Sequence, residues 1–133
     1  LIIAVDFDGT CVFHKYPRIG SDVPDAVPIL RELVQVKHQL ILLTMRGRNS
    51  WNPETGGDVL QEAVAWFENH RIPLFGVNSS PGQESWTSSS KVYAHRYVDD
   101  SAFGCPVRHF AEGRAVDWLV LRGIFVSEKV LPH

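Results

Sequence analysis

The chain opens on five apolar residues, Leu1-Ile2-Ile3-Ala4-Val5, that stop on two carboxylates one residue apart, Asp6-Phe7-Asp8, followed by Gly9 and Thr10. An apolar run without a polar face predicts a strand buried on both sides, as at the centre of a parallel sheet. Side chains alternate along an extended chain, so the pattern predicts Asp6 and Asp8 on the same side of the strand's carboxyl end. Two negative charges held that close repel unless a cation lies between them. Gly9 permits a tight turn and a close approach of backbone to a ligand, and Thr10 suits a cap or turn. The plainer reading of the same ten residues is a solvated junction between strand and loop.

The 133-residue chain as a whole bounds that reading. Its length predicts a single domain over 1–133, able to bury a core without disulfides or a structural metal. The formal net charge of −2, with both signs well mixed, offers no basic stripe for nucleic-acid binding, so nucleic acid enters only as a possible substrate. No apolar run approaches a membrane span. Cys11 and Cys105 lack paired spacing, which predicts two free thiols in a reducing cytoplasm.

Along the chain, Cys11 to Asp22 reads as a structured loop or small hairpin beside the carboxylate pair. Val23, Val27, Leu30 and Val34 then fall at helical spacing, with Asp22 or Ser21 placed to cap and Pro24 in the first turn, predicting a helix of about four turns. Gln39-Leu40-Ile41-Leu42-Leu43-Thr44 is a second buried strand, ending on a hydroxyl. A right-handed parallel crossover brings Thr44 to the same sheet edge as Asp6 and Asp8. A loop with Arg46, Arg48, Asn49 and Trp51 leads to a helix from about Asp58 to His70, with Val59, Leu60, Ala63, Val64 and Phe67 as its apolar face. Ile72 to Val77 is a weaker strand, and Asn78 to Ser90 is a polar stretch leading to Lys91. Tyr97-Val98 again approaches carboxylates, Asp99 and Asp100. In the tail, Pro106 to Phe110 reads as an outer strand and Trp118 to Leu121 as a short helix ended by Gly123.

Each strand-end group has a dull explanation by itself. Thr44 can satisfy backbone, Lys91 can be a solvated charge, and Asp99-Asp100 can form a cap or turn. Together, carboxylates, hydroxyl and ammonium at the carboxyl edge of a parallel sheet are the set that magnesium-dependent phosphoryl transfer requires. In order and approximate spacing, Asp6-Phe7-Asp8-Gly9-Thr10, the strand ending at Thr44, Lys91, and Val98-Asp99-Asp100 resemble the four motifs of the haloacid dehalogenase-like hydrolase superfamily, over roughly residues 1 to 104. The resemblance implies an α/β fold, a Rossmann-like three-layer sandwich around a central parallel sheet. It also implies a phosphatase working through an aspartyl-phosphate. On that implication Asp6 is the nucleophile, Asp8 the acid and later the base, and Thr44 and Lys91 hold the phosphoryl oxygens. Mg²⁺ would sit on Asp6, the Asp8 backbone carbonyl, and Asp99 or Asp100, with Asp99 the direct ligand and Asp100 its support.

Family members often carry a lid after the first motif or before the lysine; here those intervals, 11–22 and 78–90, are too short to fold alone. The expectation is therefore a site without a cap domain, open to a bulky phosphorylated substrate or covered by a second subunit of a homo-oligomer. Gly9, Arg46 and Arg48 are candidate substrate contacts, the arginines gripping a second anionic group unless they are solvated loop charges. Trp51 and Trp86 stack on a ring or pack on the domain's own surface. Other chemistries fail on spacing: Pro17 and Ala111 stand where a cysteine-phosphatase loop needs Arg, no Gly-rich Lys loop or Gly-x-Ser-x-Gly elbow occurs, and the six histidines show no zinc spacing. A receiver domain would need its Asp at Asn78. A silent phosphate-binding module and a phosphomutase remain as alternatives, the latter disfavoured by the lack of a lid to exclude water.

Overall fold

In the computed structural model, which describes residues 1–133, the opening apolar run forms β1 (Ile2–Val5). It pairs in parallel with β4 (Gln39–Leu42) on one side and with β6 (Arg96–Val98) on the other. Beyond β4 lies β5 (Gly76–Val77), giving a four-stranded parallel sheet in the order β5-β4-β1-β6. The chain walks outward from β1 through β4 to β5 and then returns to lay β6 on the other flank of β1. Strand order therefore reverses between β1 and β6, and the crevice beyond the carboxyl ends at such a reversal is where open parallel sheets bind ligands.

Three helices complete the α/β fold: α1 (Ala26–Gln35), α2 (Val59–Asn69) and α3 (Trp118–Ser127). Ile3, Val5, Leu40, Leu42 and Val98 face one side of the sheet, and buried side chains of all three helices join them in a core of 27 residues. The opposite face, with Ala4 and Ile41, is covered by Ala94 and Val92 of the irregular return segment between β5 and β6. Helices were expected on both faces; here the second layer is non-helical chain with only a 3₁₀ turn at Gln83–Ser85. Its serines, Pro81 and Gly82 disfavour a helix, and one side chain replaces the missing ladder. Gln83 donates through Nε2 to the Ser89 and Lys91 carbonyls at 3.2 and 2.6 Å and accepts from the Tyr93 N–H at 2.8 Å.

Two hairpins flank the sheet. β2 (Val12–Lys15) and β3 (Arg18–Asp22) form the one expected after the first carboxylates. β7 (Val107–Phe110) pairs with β8 (Gly113–Val116), a strand the sequence pattern did not announce. Other boundaries also move. The first helix begins at Ala26, after a left-handed Asp25, so Pro24 precedes it. Asp22 does not cap it; its carboxylate accepts the Trp66 indole N–H at 2.8 Å. Asp58 does cap α2, accepting the Leu60 N–H at 2.9 Å. The tail helix runs through Gly123 rather than ending there, because Leu121 and Phe125 on either side of it are buried in the core. No helix is long and apolar enough to cross a membrane.

Candidate functional site

The strand ends at Val5. Asp6 donates its N–H to the Val98 carbonyl at 2.9 Å, while the N–H groups of Thr10, Cys11 and Val12 converge on the Phe7 carbonyl. This turn passes through Gly9 at φ +86° and leaves the two carboxylates with different partners, Thr10 for Asp6 and Arg46 for Asp8. Both still line one cleft of about 480 Å³, with His14, Tyr16, Thr44, Met45, Arg46, Asp99, Asp100 and Ser101.

Asp6 faces the carboxyl end of β6. Oxygens of Asp6, Asp99 and Asp100 lie within 4.8 Å of one another. Burial, then the charge of Asp99, then a hydrogen bond with the Asp100 side chain push the Asp6 carboxyl up from 3.8 to about 8, against the Thr10 hydroxyl and the Phe7 N–H, which favour the anion. Thr10, fully buried, donates from Oγ1 to Asp6 Oδ2 at 3.0 Å and accepts the Asp100 N–H at 3.3 Å, clamping the two ends of the site together. Such a set of crowded oxygens, with no soft ligand among them, fits a hard divalent cation. Asp99 and Asp100 both belong to the cluster. Asp99 is oriented by the Ser101 N–H at 2.8 Å, and Asp100 by Arg114, which reaches its carboxylate at 3.4 Å and its carbonyl at 2.9 Å.

Asp8 faces Arg46 instead. Nε and Nη2 of Arg46 fork onto the two Asp8 oxygens at 2.8 and 2.9 Å, and the rest of the guanidinium donates to the carbonyls of Pro17, Arg18 and Val59. All five N–H groups are engaged, and the side chain is 1% exposed, with its Cζ 5.2 Å from the ring centroids of both Phe7 and Tyr16. The expectation that Arg46 grips substrate is corrected: its fork is spent inside the protein, joining Asp8 to the β2–β3 hairpin and the start of α2. The Asp8 backbone carbonyl accepts no hydrogen bond from the chain.

Thr44 lies two residues past the end of β4. The Asn78 carboxamide holds its N–H at 2.8 Å, and its Oγ1 accepts from the Arg46 N–H at 3.2 Å, so the hydroxyl proton is left for a ligand. Lys91 is not in the cleft. Ser89 holds its N–H and Gln83 its carbonyl, and Nζ rests 5.5 Å from the Tyr97 ring centroid. Without a helix in the return segment, nothing aims the ammonium at the carboxylates. Arg48 is exposed and acts on Asp58, whose carboxyl is held low chiefly by the Asn49 N–H, with Arg48 a lesser contributor. Gly9 serves packing: a Cβ there would come 2.6 Å from Asp100 Oδ2.

No protein-family model and no curated protein matches the chain. A solved structure, that of a conserved protein coded by a locus of Bacteroides thetaiotaomicron, matches over 96% of this chain and 90% of that one, at 35% identity and a TM-score of 0.73. The chain belongs to that protein's family. The likeness spans the C-terminal hairpin and α3 as well as the sheet. That tail supplies site supports that the sequence pattern did not reveal: Arg114 on Asp100, the Val116 N–H on the Gly9 carbonyl at 3.1 Å, and the buried Trp118 indole N–H on the Thr10 carbonyl at 2.7 Å. Cys11 and Cys105 are free thiols, and burial pushes both above their ordinary pKa.

Proposed function

We propose that this protein is a magnesium-dependent phosphatase that hydrolyses a phosphate monoester through an aspartyl-phosphate on Asp6. The observation that carries the reading is the Asp6, Asp99 and Asp100 oxygen cluster at the strand-order reversal, where burial and then the charge of Asp99 push Asp6 up to about 8. Crowding carboxylates costs free energy that a bound cation would offset. The donor set fits Mg²⁺, held by Asp6, Asp99 or Asp100, and the unengaged Asp8 carbonyl. When bound, the ion supplies charge neutralisation that lets two anions meet.

In this reading an Asp6 oxygen attacks phosphorus and the ester oxygen leaves with a proton from Asp8; Asp8 then takes a proton from the water that cleaves the acyl phosphate. Arg46 holds Asp8 in one orientation, and a protonated Asp8 gives up one arm of the fork to do so. The Thr44 hydroxyl donates to a phosphoryl oxygen. The sheet is read as a Rossmann-like one, with the irregular return segment in place of a second helical layer. Two unpaired cysteines support a reducing cytoplasmic setting, and the short intervals around the cleft support a bulky substrate or cover from a second copy.

One observation favours a second reading, a phosphate-binding module without turnover: Lys91 lies outside the cleft, leaving the phosphoryl group no ammonium. Phosphate release from a panel of esters, with and without Mg²⁺, separates the two. Release that needs Mg²⁺ and disappears in Asp6→Asn, with the fold intact by circular dichroism, is the expected result. Turnover surviving in Asp6→Asn removes Asp6 as nucleophile, and no release from any ester favours the module.

A further inference from the structure

The cleft's charges are unevenly matched. Four carboxylates, Asp6, Asp8, Asp99 and Asp100, line it against one guanidinium, and that guanidinium has no free N–H. Arg48 and Lys91 do not line it, and the further basic group that does is the exposed His14 on the hairpin. Arg114, outside the lining, pairs with Asp100, so a bound divalent cation brings the charges close to balance, and no guanidinium or ammonium in the lining keeps a free N–H. A substrate carrying a second anionic group beside its phosphate therefore finds no free partner charge in the lining.

What the cleft offers instead is apolar surface held in water. Tyr16 is 49% exposed, with the Arg46 guanidinium behind its ring. Met45, fixed between Thr44 and Arg46, is 98% exposed although it lines the same cleft. Neither side chain is needed to fill the core, and both gain by being covered. Their place also matters. The Arg46 guanidinium carries Asp8 on its fork and lies against the Tyr16 ring, so Tyr16 flanks the group that faces the departing ester oxygen. On that reading, a ring joined directly to the oxygen would lie on the Tyr16 side of the cleft.

We propose that Tyr16 and Met45 form a specificity wall and that the substrate is an aryl phosphate, a monoester whose leaving group is an uncharged aromatic ring. The assignment rests on the phosphatase reading above. It is tested by binding rather than rate alone, because aryl leaving groups speed hydrolysis on any enzyme. Calorimetric titration of the Mg²⁺-loaded protein with phenylphosphonate, methylphosphonate and phosphonoacetate compares a ring, a methyl and a second anion on one phosphonate.

Phenylphosphonate is expected to bind about three- to tenfold more tightly than methylphosphonate, and phosphonoacetate more weakly than either. Met45→Ala, at a side chain 98% exposed and so without a packing role, should lose about two- to threefold of the phenyl preference while leaving methylphosphonate unchanged. Met45→Lys should improve phosphonoacetate. Equal binding of phenyl and methyl, or tightest binding of phosphonoacetate, overturns the wall while phosphate release from phenyl phosphate keeps the phosphatase reading. A phenyl preference with no release from any ester overturns that reading and the substrate assignment with it.

Discussion

Replacing Arg46 with Met removes a guanidinium whose side chain is 1% exposed and keeps most of the volume that packs between Phe7 and Tyr16. What remains is a carboxylate on Asp8 that is 12% exposed and has lost both donors. Stripping one partner from a buried ion pair costs about 3–5 kcal/mol, because the other charge stays desolvated. The carbonyls of Pro17, Arg18 and Val59 lose a donor as well. Water reaches some of them after relaxation, so the three together add on the order of 1–2 kcal/mol. The expected loss is therefore about 5 kcal/mol, comparable with the whole stability of a small domain. Urea unfolding followed by tryptophan fluorescence measures it, and an unchanged slope with denaturant shows that the loss is one of stability. Arg46→Lys keeps the charge without the fork and should recover about half. Adding Asp8→Leu to Arg46→Met removes the stranded charge and should return most of the loss, an outcome that separates electrostatics from packing. A cost below about 1 kcal/mol for Arg46→Met, the worth of a surface pair, would refute the reasoning.

The remaining expectations concern the carboxylate cluster and its surroundings. Asp6 titrates at about 8 folded against 3.8 unfolded, so between those values the folded state holds a proton that the unfolded state lacks, and metal-free stability falls as pH rises through that window. The loss expressed between pH 5 and 9 should be on the order of 2–3 kcal/mol by thermal unfolding in chelator, and Asp6→Asn should flatten it; a flat profile for the unsubstituted protein counts against the cluster. Gly9→Ala forces a Cβ to 2.6 Å from Asp100 Oδ2 at a φ of +86°. It should cost about 1–3 kcal/mol and weaken Mg²⁺ binding by calorimetry, whereas unaltered affinity would show that Asp100 is not held by that turn. Lys91→Ala should change phosphate release by less than about threefold, since cation and ring make only a weak exposed contact; a hundredfold loss would show that the ammonium enters the cleft during turnover.

The parallel core was legible because burial on both faces leaves a strong mark. Ile3 to Val5, Leu40 to Leu42 and Val98 are buried, and each such run stops near a group that reaches the cleft. Asp58 as a cap was legible because capping is local chemistry. Arg46 was not, since its acceptors lie on Asp8, the β2–β3 hairpin and the start of α2, which meet only after folding. An arginine in a loop is exposed unless such partners assemble. Lys91 sat at a plausible spacing, but spacing says nothing of aim when the segment before it is held by Gln83 rather than by a helix. β8 escaped notice because Gly113-Arg114-Ala115-Val116 is too short for a period to show, and with it Arg114 and Trp118 were missed. Gly123 has the propensity of a helix end, and the helix runs through it because Leu121 and Phe125 are buried, which local sequence does not show.

The irregular layer over Ala4 and Ile41 has a consequence for how the molecule comes apart. Its lid on that face depends on a few exposed bonds converging on Gln83, while the other face is closed by three helices around a 27-residue core. Regions with few buried contacts open by themselves, well below the free energy of global unfolding. Amides between Ser79 and Ala94 should then exchange first with solvent, and a protease should nick that stretch while the Asp6 to Asp100 edge is still assembled. The sheet would thus stand half uncovered, active edge intact, before the fold is lost.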